Sequence, residues 1–182
     1  MLGILLIIGI VLVLLVLAVL GLAMTKPAVF TVSRRQSIKA RPEKIFPLIA
    51  NFCNFILWSP FENDPDMKRG FSGPDEGAGA VYAFEGNNNV GAGRVEIIRV
   101  TPPSEAAPSE IVMRLQFFRP MKTVNEVVFL LTPRGGETDV SWEMRGPNPL
   151  LSKVMQVFFS MDKMVGGSFE KGLTGLKNLA ET

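Results

Sequence analysis

The segment Thr123–Gly146, TVNEVVFLLTPRGGETDVSWEMRG, consists of two strand-like runs joined by Arg134-Gly135-Gly136-Glu137. Both glycines can adopt the positive φ of a two-residue hairpin loop, so this turn fixes the register of the strands. One face then pairs large apolar residues: Phe129 with Trp142, Leu131 with Val140, and Val127 with Met144. The other face pairs Glu126 with Arg145 and Val128 with Glu143. The separation of apolar from polar residues predicts an antiparallel sheet with one buried face.

Four more strand-like runs precede this hairpin without an intervening helix, at residues 66–72, 80–85, 91–101 and 110–118. Short turns between consecutive strands indicate an antiparallel meander. The same alternation assigns a set of mostly large apolar residues to the inner face: Tyr82, Phe84, Val95, Ile97, Ile111, Met113, Leu115 and Phe117.

The segment before the meander predicts a strand and two short helices. Alternation from Phe30 to Ile38 favours a first strand, and Pro42 at a first helical position starts a helix that runs to about Ala50. A second helix covers Phe52 to Leu57 and ends before Pro60, because the residue preceding a proline is disfavoured in helical conformation.

The C-terminal segment from Pro149 to Ala180 predicts one long amphipathic helix that covers the inner face of the sheet. Its apolar residues recur at roughly helical spacing: Leu151, Met155, Phe158, Phe159, Val165, Phe169, Leu173, Leu176 and Leu179. Gly166-Gly167 interrupts the pattern and predicts a kink or a close backbone approach, since glycine weakens a helix.

Residues 2–24 contain only Leu, Ile, Val, Ala, Gly and a terminal Met. About 20 such residues cross a hydrocarbon core of about 30 Å, so we expect residues 1–25 to form a single transmembrane helix and residues 26–182 to form one soluble domain. A buried core helix and a cleaved signal peptide are the alternatives. A core helix is rarely apolar on every face for so long. A signal peptide has a basic start and a shorter apolar region. This segment has no basic side chain before it, and its apolar region is longer than that of a typical signal peptide.

Only the amino terminus carries a positive charge before the apolar segment. Six cations follow the segment: Lys26, Arg34, Arg35, Lys39, Arg41 and Lys44. The positive-inside rule therefore predicts a membrane protein with its soluble domain on the cytoplasmic side.

The composition excludes several kinds of chemistry. The chain has no histidine and one cysteine, so it cannot form a Ser-His-Asp triad, a Cys-His pair or the usual zinc sites. No cofactor motif is found. A formal net charge of +2 without a dense basic stripe argues against nucleic acid as a partner. Cys53 lies in an apolar helical stretch and is expected to be a small buried residue.

The order of strand, two short helices, six antiparallel strands and a long C-terminal helix is that of the helix-grip fold, an α+β class. In this order the sequence resembles the START/Bet v 1-like (SRPBCC) superfamily, and within it the polyketide cyclase/dehydrase-like proteins. The resemblance covers nearly all of residues 29–180 and is carried by short motifs: Arg41-Pro42-Glu43-Lys44-Ile45-Phe46, Trp58-Ser59-Pro60-Phe61, Gly73 with Gly77-Ala78-Gly79, Gly86-Asn87 with Val90-Gly91-Ala92-Gly93, Thr138-Asp139-Val140-Ser141-Trp142, and Phe169-Glu170-Lys171-Gly172-Leu173 with Leu176-Lys177.

The resemblance implies a hydrophobic cavity between the curved sheet and the last helix, which takes a lipid or another apolar small molecule. Met and aromatic residues on the inner face suit an irregular apolar pocket, although a filled core would have the same pattern. The residues expected to line the cavity are Trp58, Phe71, Tyr82, Phe84, Ile97, Met113, Leu115, Phe129, Trp142, Met144, Met155, Phe159 and Asp162.

Two other functions remain open from the sequence. A cyclase-like or hydrolase-like enzyme would need a desolvated acid or a Tyr donor in the cavity, for which Asp162 and Tyr82 are the candidates. A regulatory interaction module would use the Asn87-Asn88-Asn89 turn or the loop from Pro102 to Pro108 as contact sites. Turns and solvated helix positions explain the same residues without any function.

Overall fold

The computed structural model describes residues 2–62, 64–88, 90–104 and 107–182 of the chain. Its helices are α1 (Leu2–Met24), α2 (Pro42–Ala50), α3 (Phe52–Phe55), α4 (Leu150–Phe158) and α5 (Met161–Glu181). Its strands are β1 (Val29–Ile38), β2 (Lys68–Ser72), β3 (Val81–Glu85), β4 (Ala92–Thr101), β5 (Ser109–Arg119), β6 (Thr123–Arg134) and β7 (Glu137–Pro147).

The strands form one seven-stranded sheet in the order β1-β7-β6-β5-β4-β3-β2, and every neighbouring pair is antiparallel. The meander and the helix-grip fold are thus confirmed. The β6–β7 hairpin has the predicted register, with Phe129 opposite Trp142 and Leu131 opposite Val140. Gly135 and Gly136 take positive φ of 55° and 99°, as the two-residue loop requires.

The core lies between one half of the inner sheet face and the helices α2, α3 and α5. Ile45, Ile49, Phe129, Leu173 and Leu176 are fully buried there. Helix α5 packs on β1, β7 and α2, and therefore covers the β1–β7 side of the sheet.

The C-terminal helix is divided at Phe159 and Ser160, which corrects the prediction of one continuous helix. Both residues have extended backbone, and the Ser160 hydroxyl accepts a hydrogen bond of 3.3 Å from the Lys163 amide as the N-cap of α5. Gly166 and Gly167 lie inside α5 without a break. Gly166 instead permits a close approach, because a Cβ there would overlap the Arg34 guanidinium.

The division changes the location of several predicted covering residues. Helix α4 packs against the end of α1, and Leu151, Met155, Phe158 and Phe159 are exposed and do not cover the sheet. Cys53 is also exposed, which corrects the expectation that it is buried. It occupies the outer side of the four-residue helix α3, whose Phe52 and Phe55 point inward.

Within the described residues, one helix is long and apolar enough to span a membrane, at Gly3–Met24. An N-terminal signal sequence would meet the same criterion.

Candidate functional site

One row of inner-face residues crosses all seven strands of the sheet. Cross-strand pairing joins Phe71 to Tyr82, Tyr82 to Val95, Val95 to Leu115 and Leu115 to Asn125. Beyond Asn125 the row continues on β7 and β1, where Gly146 pairs with Phe30 and a Cβ on Gly146 would meet both Asn125 and Phe30. This row marks a boundary between two parts of the inner face that differ in burial.

The part of the inner face on one side of the row is filled by side chains. Its next row is buried throughout and consists of Ile97, Met113, Val127, Met144 and Val32. Further along, Trp142 stacks on Phe169 of α5 at 4.1 Å, and Phe129 lies 4.9 Å from Trp142 and 6.0 Å from Trp58. We call this part the filled half.

Beyond the row, Phe84 and Phe117 are only partly covered, as are Phe71, Val95 and Leu115 within it, and we call these five residues the open half. Phe71 is 47% exposed and the other four are half-buried, although all five are apolar and lie on the inner face of the sheet. Such a wall is the kind of surface that lines sites for apolar ligands.

Aromatic rings form a continuous floor across the open half. Phe71 stacks on Tyr82 at 5.3 Å, Tyr82 lies 6.0 Å from Phe84, and Phe84 lies 6.0 Å from Phe117 in an edge-to-face contact. Gly93 makes this possible, because a Cβ there would lie 2.8 Å from Cζ of Phe84. The ring of Phe84 therefore crosses β4 where a larger residue would block it.

Asn125 supplies an unpartnered polar atom at the centre of the row. It is 5% exposed, and its Oδ1 has no hydrogen-bond partner among the described residues. In the filled half Trp142 Nε1 and the Ser109 hydroxyl share this property. Buried polar atoms without a partner are unfavourable, so Asn125 Oδ1, which packs against Gly146, is an unsatisfied acceptor in this row.

Tyr82 belongs to a polar triad at the β2–β3 side of the floor. Its hydroxyl donates a 2.6 Å hydrogen bond to Glu62 Oε1, and Arg69 Nε donates to Glu62 Oε2 at 2.8 Å. Burial and the bond to Glu62 raise the pKa of Tyr82 well above its ordinary value. Tyr82 is therefore a neutral donor that is already engaged. Sequence reasoning missed Glu62, because the irregular segment that carries it has no periodicity.

Asp162 is an ionised surface carboxylate that joins α5 to β1. Arg34 donates to its two carboxylate oxygens at 2.9 and 3.0 Å and to Glu170 Oε1 at 2.6 Å. These bonds lower the pKa of Asp162, and the Asp162 side chain is 60% exposed. A desolvated acid for catalysis needs the opposite shift.

A cavity of about 430 Å³ lies between β1 and the junction of α4 and α5. Phe30, Val32, Phe159, Met161 and Asp162 are among its lining residues. Phe30 also belongs to the boundary row, so this cavity adjoins the inner face on the side of α1. A second cavity of about 510 Å³ is lined largely by outward-facing residues, among them Val29, Ile98, Arg114 and Val124.

The predicted lining residues therefore separate into three groups. Phe71, Phe84 and Leu115 lie in the open half, and Tyr82 lies between Phe71 and Phe84 but is buried against Phe52 of α3. Trp58, Ile97, Met113, Phe129, Trp142 and Met144 pack within the filled half. Met155, Phe159 and Asp162 lie outside the interior on α4, the junction and the start of α5.

The described residues contain no group of three or more His, Cys, Asp or Glu side chains placed to hold a metal ion. The alternative contact sites at the Asn87-Asn88-Asn89 turn and the loop from Pro102 to Pro108 include Asn89, Glu105 and Ala106, which lie outside the described residues.

Comparison with known proteins agrees with this architecture. A hypothetical protein from Helicobacter pylori is 9% identical, with a TM-score of 0.61 over 83% of this chain and 88% of that one. Norcoclaurine synthase from Thalictrum flavum, solved with dopamine and hydroxybenzaldehyde, is 11% identical, with a TM-score of 0.58 over 83% and 86%. A protein from Chromobacterium violaceum is 14% identical, with a TM-score of 0.56 over 84% and 97%. At these low identities, the structural likeness shows a shared fold alone.

A comparison with curated proteins finds no match. The sequence model of the family described as "Polyketide cyclase / dehydrase and lipid transport" matches residues 29–181, which is nearly the whole chain after the apolar helix. The chain thus belongs to the polyketide cyclase/dehydrase and lipid transport family.

Proposed function

We propose that this protein binds a hydrophobic small molecule or lipid on the open half of its concave sheet face, while α1 tethers it to a membrane. The observation that carries the proposal is the partly covered apolar floor beside a filled core. Phe71, Phe84, Val95, Leu115 and Phe117 face the inner side of the sheet without full cover. Burying such a wall under a ligand is favourable by about 25 cal/mol per Å² of apolar surface.

The extent of the site supports a ligand of modest size. The adjoining cavity of about 430 Å³ lies within the usual range of small-molecule sites, about 300–1,000 Å³. Phe30 connects the cavity to the boundary row of the floor.

Asn125 gives the site a polar reference point. Its buried Oδ1 accepts a hydrogen bond from a hydroxyl or an amide N–H of the ligand, while Leu115 and Val95 beside it contact the apolar part. A ligand with one donor at the edge of an apolar body meets both requirements. The arrangement selects against a plain alkane, because Oδ1 would then remain unpaired.

The membrane tether is the second part of the proposal. The 22 residues Gly3–Met24 exceed the length of a typical span and are exposed on all but their last turns. The cations that follow assign the soluble domain to the cytoplasmic side. Extraction of cell membranes at high pH tests the tether, since a spanning protein stays in the pellet and a processed secreted domain is released.

Photolabelling of the full chain in detergent tests the binding site. A fatty acid that carries a diazirine on its chain is irradiated with the protein, and adducts are located by peptide mass spectrometry. We expect adducts on the inner-face residues Val95 and Leu115 and few on the outer-face residues Ile98 and Leu130. Equal labelling of the two faces would contradict the proposed site.

A further inference from the structure

Helix α4 carries an apolar stripe that no described element covers. Leu151, Met155 and Phe158 recur at the i, i+4 and i+7 positions of one helical face, and Phe159 extends the stripe beyond the helix. These side chains are between 48% and 64% exposed. Exposed large apolar side chains grouped on one helix face mark an interaction surface. We call these four residues the α4 stripe.

The α4 stripe adjoins the candidate membrane span. Helix α4 packs against α1, and Ala23 in the last turn of α1 is fully buried although the earlier turns are exposed. Only four residues separate Met24 from the start of β1 at Val29. These links hold α4 beside the end of the apolar span, at the level where a bilayer meets water.

The loop between β5 and β6 lies at the same end of the sheet. The hydrogen bond from the Asn148 amide to the Ala28 carbonyl lies two residues beyond the Gly146–Phe30 pair of the boundary row. The Phe117–Thr123 pair lies two residues beyond the Leu115–Asn125 pair in the same direction. The loop therefore projects on the side from which α1 enters the domain. Phe118 at the end of β5 and Met121 in the loop are 44% and 39% exposed, and Lys122 follows Met121.

Basic side chains accompany both apolar surfaces. Lys153 is on α4, Lys163 is in the first turn of α5, and Lys26 lies between α1 and β1. A helix with an apolar face and nearby lysines is typical of elements that lie in the headgroup region of an anionic bilayer. The chemistry of the surface thus fits lipid, with apolar groups for the acyl boundary and cations for the headgroups.

We infer that α4 is an interfacial membrane helix, which inserts the α4 stripe into the bilayer that α1 spans and docks the domain on an anionic lipid surface. This inference rests on the tether proposed above. Docking brings the cavity lined by Phe158 and Phe159 to the bilayer surface, so a lipid enters the site without crossing water. The β5–β6 loop provides a second contact.

Depth-dependent quenching in liposomes tests the inference with the full chain. In a Cys53→Ser background, single cysteines replace Leu12 in the span, Phe158 in the stripe, or Asn178 on the exposed side of α5, and each is labelled with the fluorophore NBD. The vesicles contain phosphatidylcholine and phosphatidylglycerol, with or without doxyl-labelled lipid. Iodide is the quencher in water.

We expect doxyl lipid to quench NBD at positions 12 and 158, and iodide to quench position 158 at least about fivefold less than position 178. Iodide quenching at 158 equal to that at 178, with position 12 still quenched by lipid, overturns the inference and leaves the tether intact. Absence of lipid quenching at position 12 overturns the tether and the inference together. The photolabelling experiment tests ligand binding on the open half, and its result does not depend on the quenching at position 12 or 158.

A charge variant gives a second measurement. NBD at Phe159→Cys is compared in the parent and in a Met155→Asp/Phe158→Asp variant, both of whose changes are at exposed sites. We expect the two aspartates to abolish lipid quenching at position 159, since burying charge in the acyl boundary is unfavourable. Unchanged quenching would contradict insertion of the stripe.

Discussion

Trp142 of β7 and Phe169 of α5 stack with ring centroids 4.1 Å apart and planes 7° from parallel. This contact fixes α5 on the sheet and closes the filled half. Gly172, one turn further along α5, permits the approach, because a Cβ there would lie 2.7 Å from Trp142 Cζ3. The inner face is therefore divided into a part that is packed under α5 and a part that is only partly covered.

Truncation of Phe169 should strongly destabilise the protein. Phe169→Ala removes a fully buried ring, and we expect a loss of about 3–5 kcal/mol in the free energy of unfolding. Chemical denaturation of the full chain in detergent, followed by tryptophan fluorescence, measures the change. Leu57→Ala is the control, with an expected change within about 0.5 kcal/mol because its side chain is 67% exposed and lies outside both proposed binding surfaces. Similar values for the two variants would show that α5 does not pack as described.

The titration of Tyr82 is directly observable, because the chain has a single tyrosine. Its pKa is raised by burial and by the hydrogen bond to Glu62, so tyrosinate absorbance should appear only well above pH 10. Glu62→Gln removes the carboxylate charge and should shift the transition to lower pH. A wild-type transition near pH 10 would contradict the Tyr82–Glu62 contact.

The same shift affects stability at alkaline pH. The unfolded chain ionises Tyr82 near pH 10 and thus binds fewer protons than the folded chain above that pH. The contribution of Tyr82 is therefore fully present below about pH 10 and is lost as the pH rises toward the folded pKa. Tyr82→Phe should remove this part of the alkaline loss of stability.

Gly166 and Gly167 offer a matched test of the ion pair between β1 and α5. A Cβ on Gly166 would displace the Arg34 guanidinium, whereas a Cβ on Gly167 meets open space. Gly167→Ala should stabilise the helix by up to about 1 kcal/mol. Gly166→Ala should not stabilise it, because the added Cβ displaces Arg34 from its ion pair. Equal stabilisation by both would show that Arg34 is not held at this position.

The carboxyl of Asp162 reports the same contact. Its pKa is lowered by the hydrogen bonds from Arg34, so the bonded carboxylate contributes stability above its ordinary pKa of about 4 and loses it as the pH falls further. NMR titration of Asp162 should give a pKa below that value in the wild type and near it in Gly166→Ala. A wild-type pKa at or above the ordinary value would contradict the ion pair.

Asn125 distinguishes a polar ligand contact from a structural role. Its Oδ1 has no partner among the described residues, so Asn125→Leu should change the free energy of unfolding by less than about 1 kcal/mol. The same change should weaken retention of ligands with a hydroxyl or amide donor. The readout is the class of small molecule that copurifies with each form, measured by mass spectrometry. A large loss of stability with unchanged ligand classes would assign Asn125 a structural role.

The sequence was sufficient to predict the sheet, because local rules and the fold agree there. Gly135-Gly136 sets the register of β6 and β7, and alternation then assigns Phe129, Trp142 and Met144 to the inner face. A turn and a two-residue period are local properties, and each is readable without knowledge of the partner strand.

The site was only partly predictable, because burial depends on which element covers which part of the sheet. Leu115 and Met113 share one strand and one face, yet Met113 is buried and Leu115 is partly open. The apolar spacing of Met155 and Phe159 indicates a helix face but not its partner. Ser160 with Asp162 is a helix-start signal that would have divided the C-terminal helix correctly.

The most direct test of ligand binding compares the small molecules that copurify with the full chain and with two tryptophan variants. Leu115→Trp fills the open half, whereas Leu130→Trp adds the same ring to the outer face of the neighbouring strand. Lipids that surround the anchor are common to all three forms and cancel in the comparison. We expect mass spectrometry of extracts to find a hydrophobic species retained by the wild type and by Leu130→Trp and lost from Leu115→Trp. Identical extracts from all three forms would contradict binding at this face.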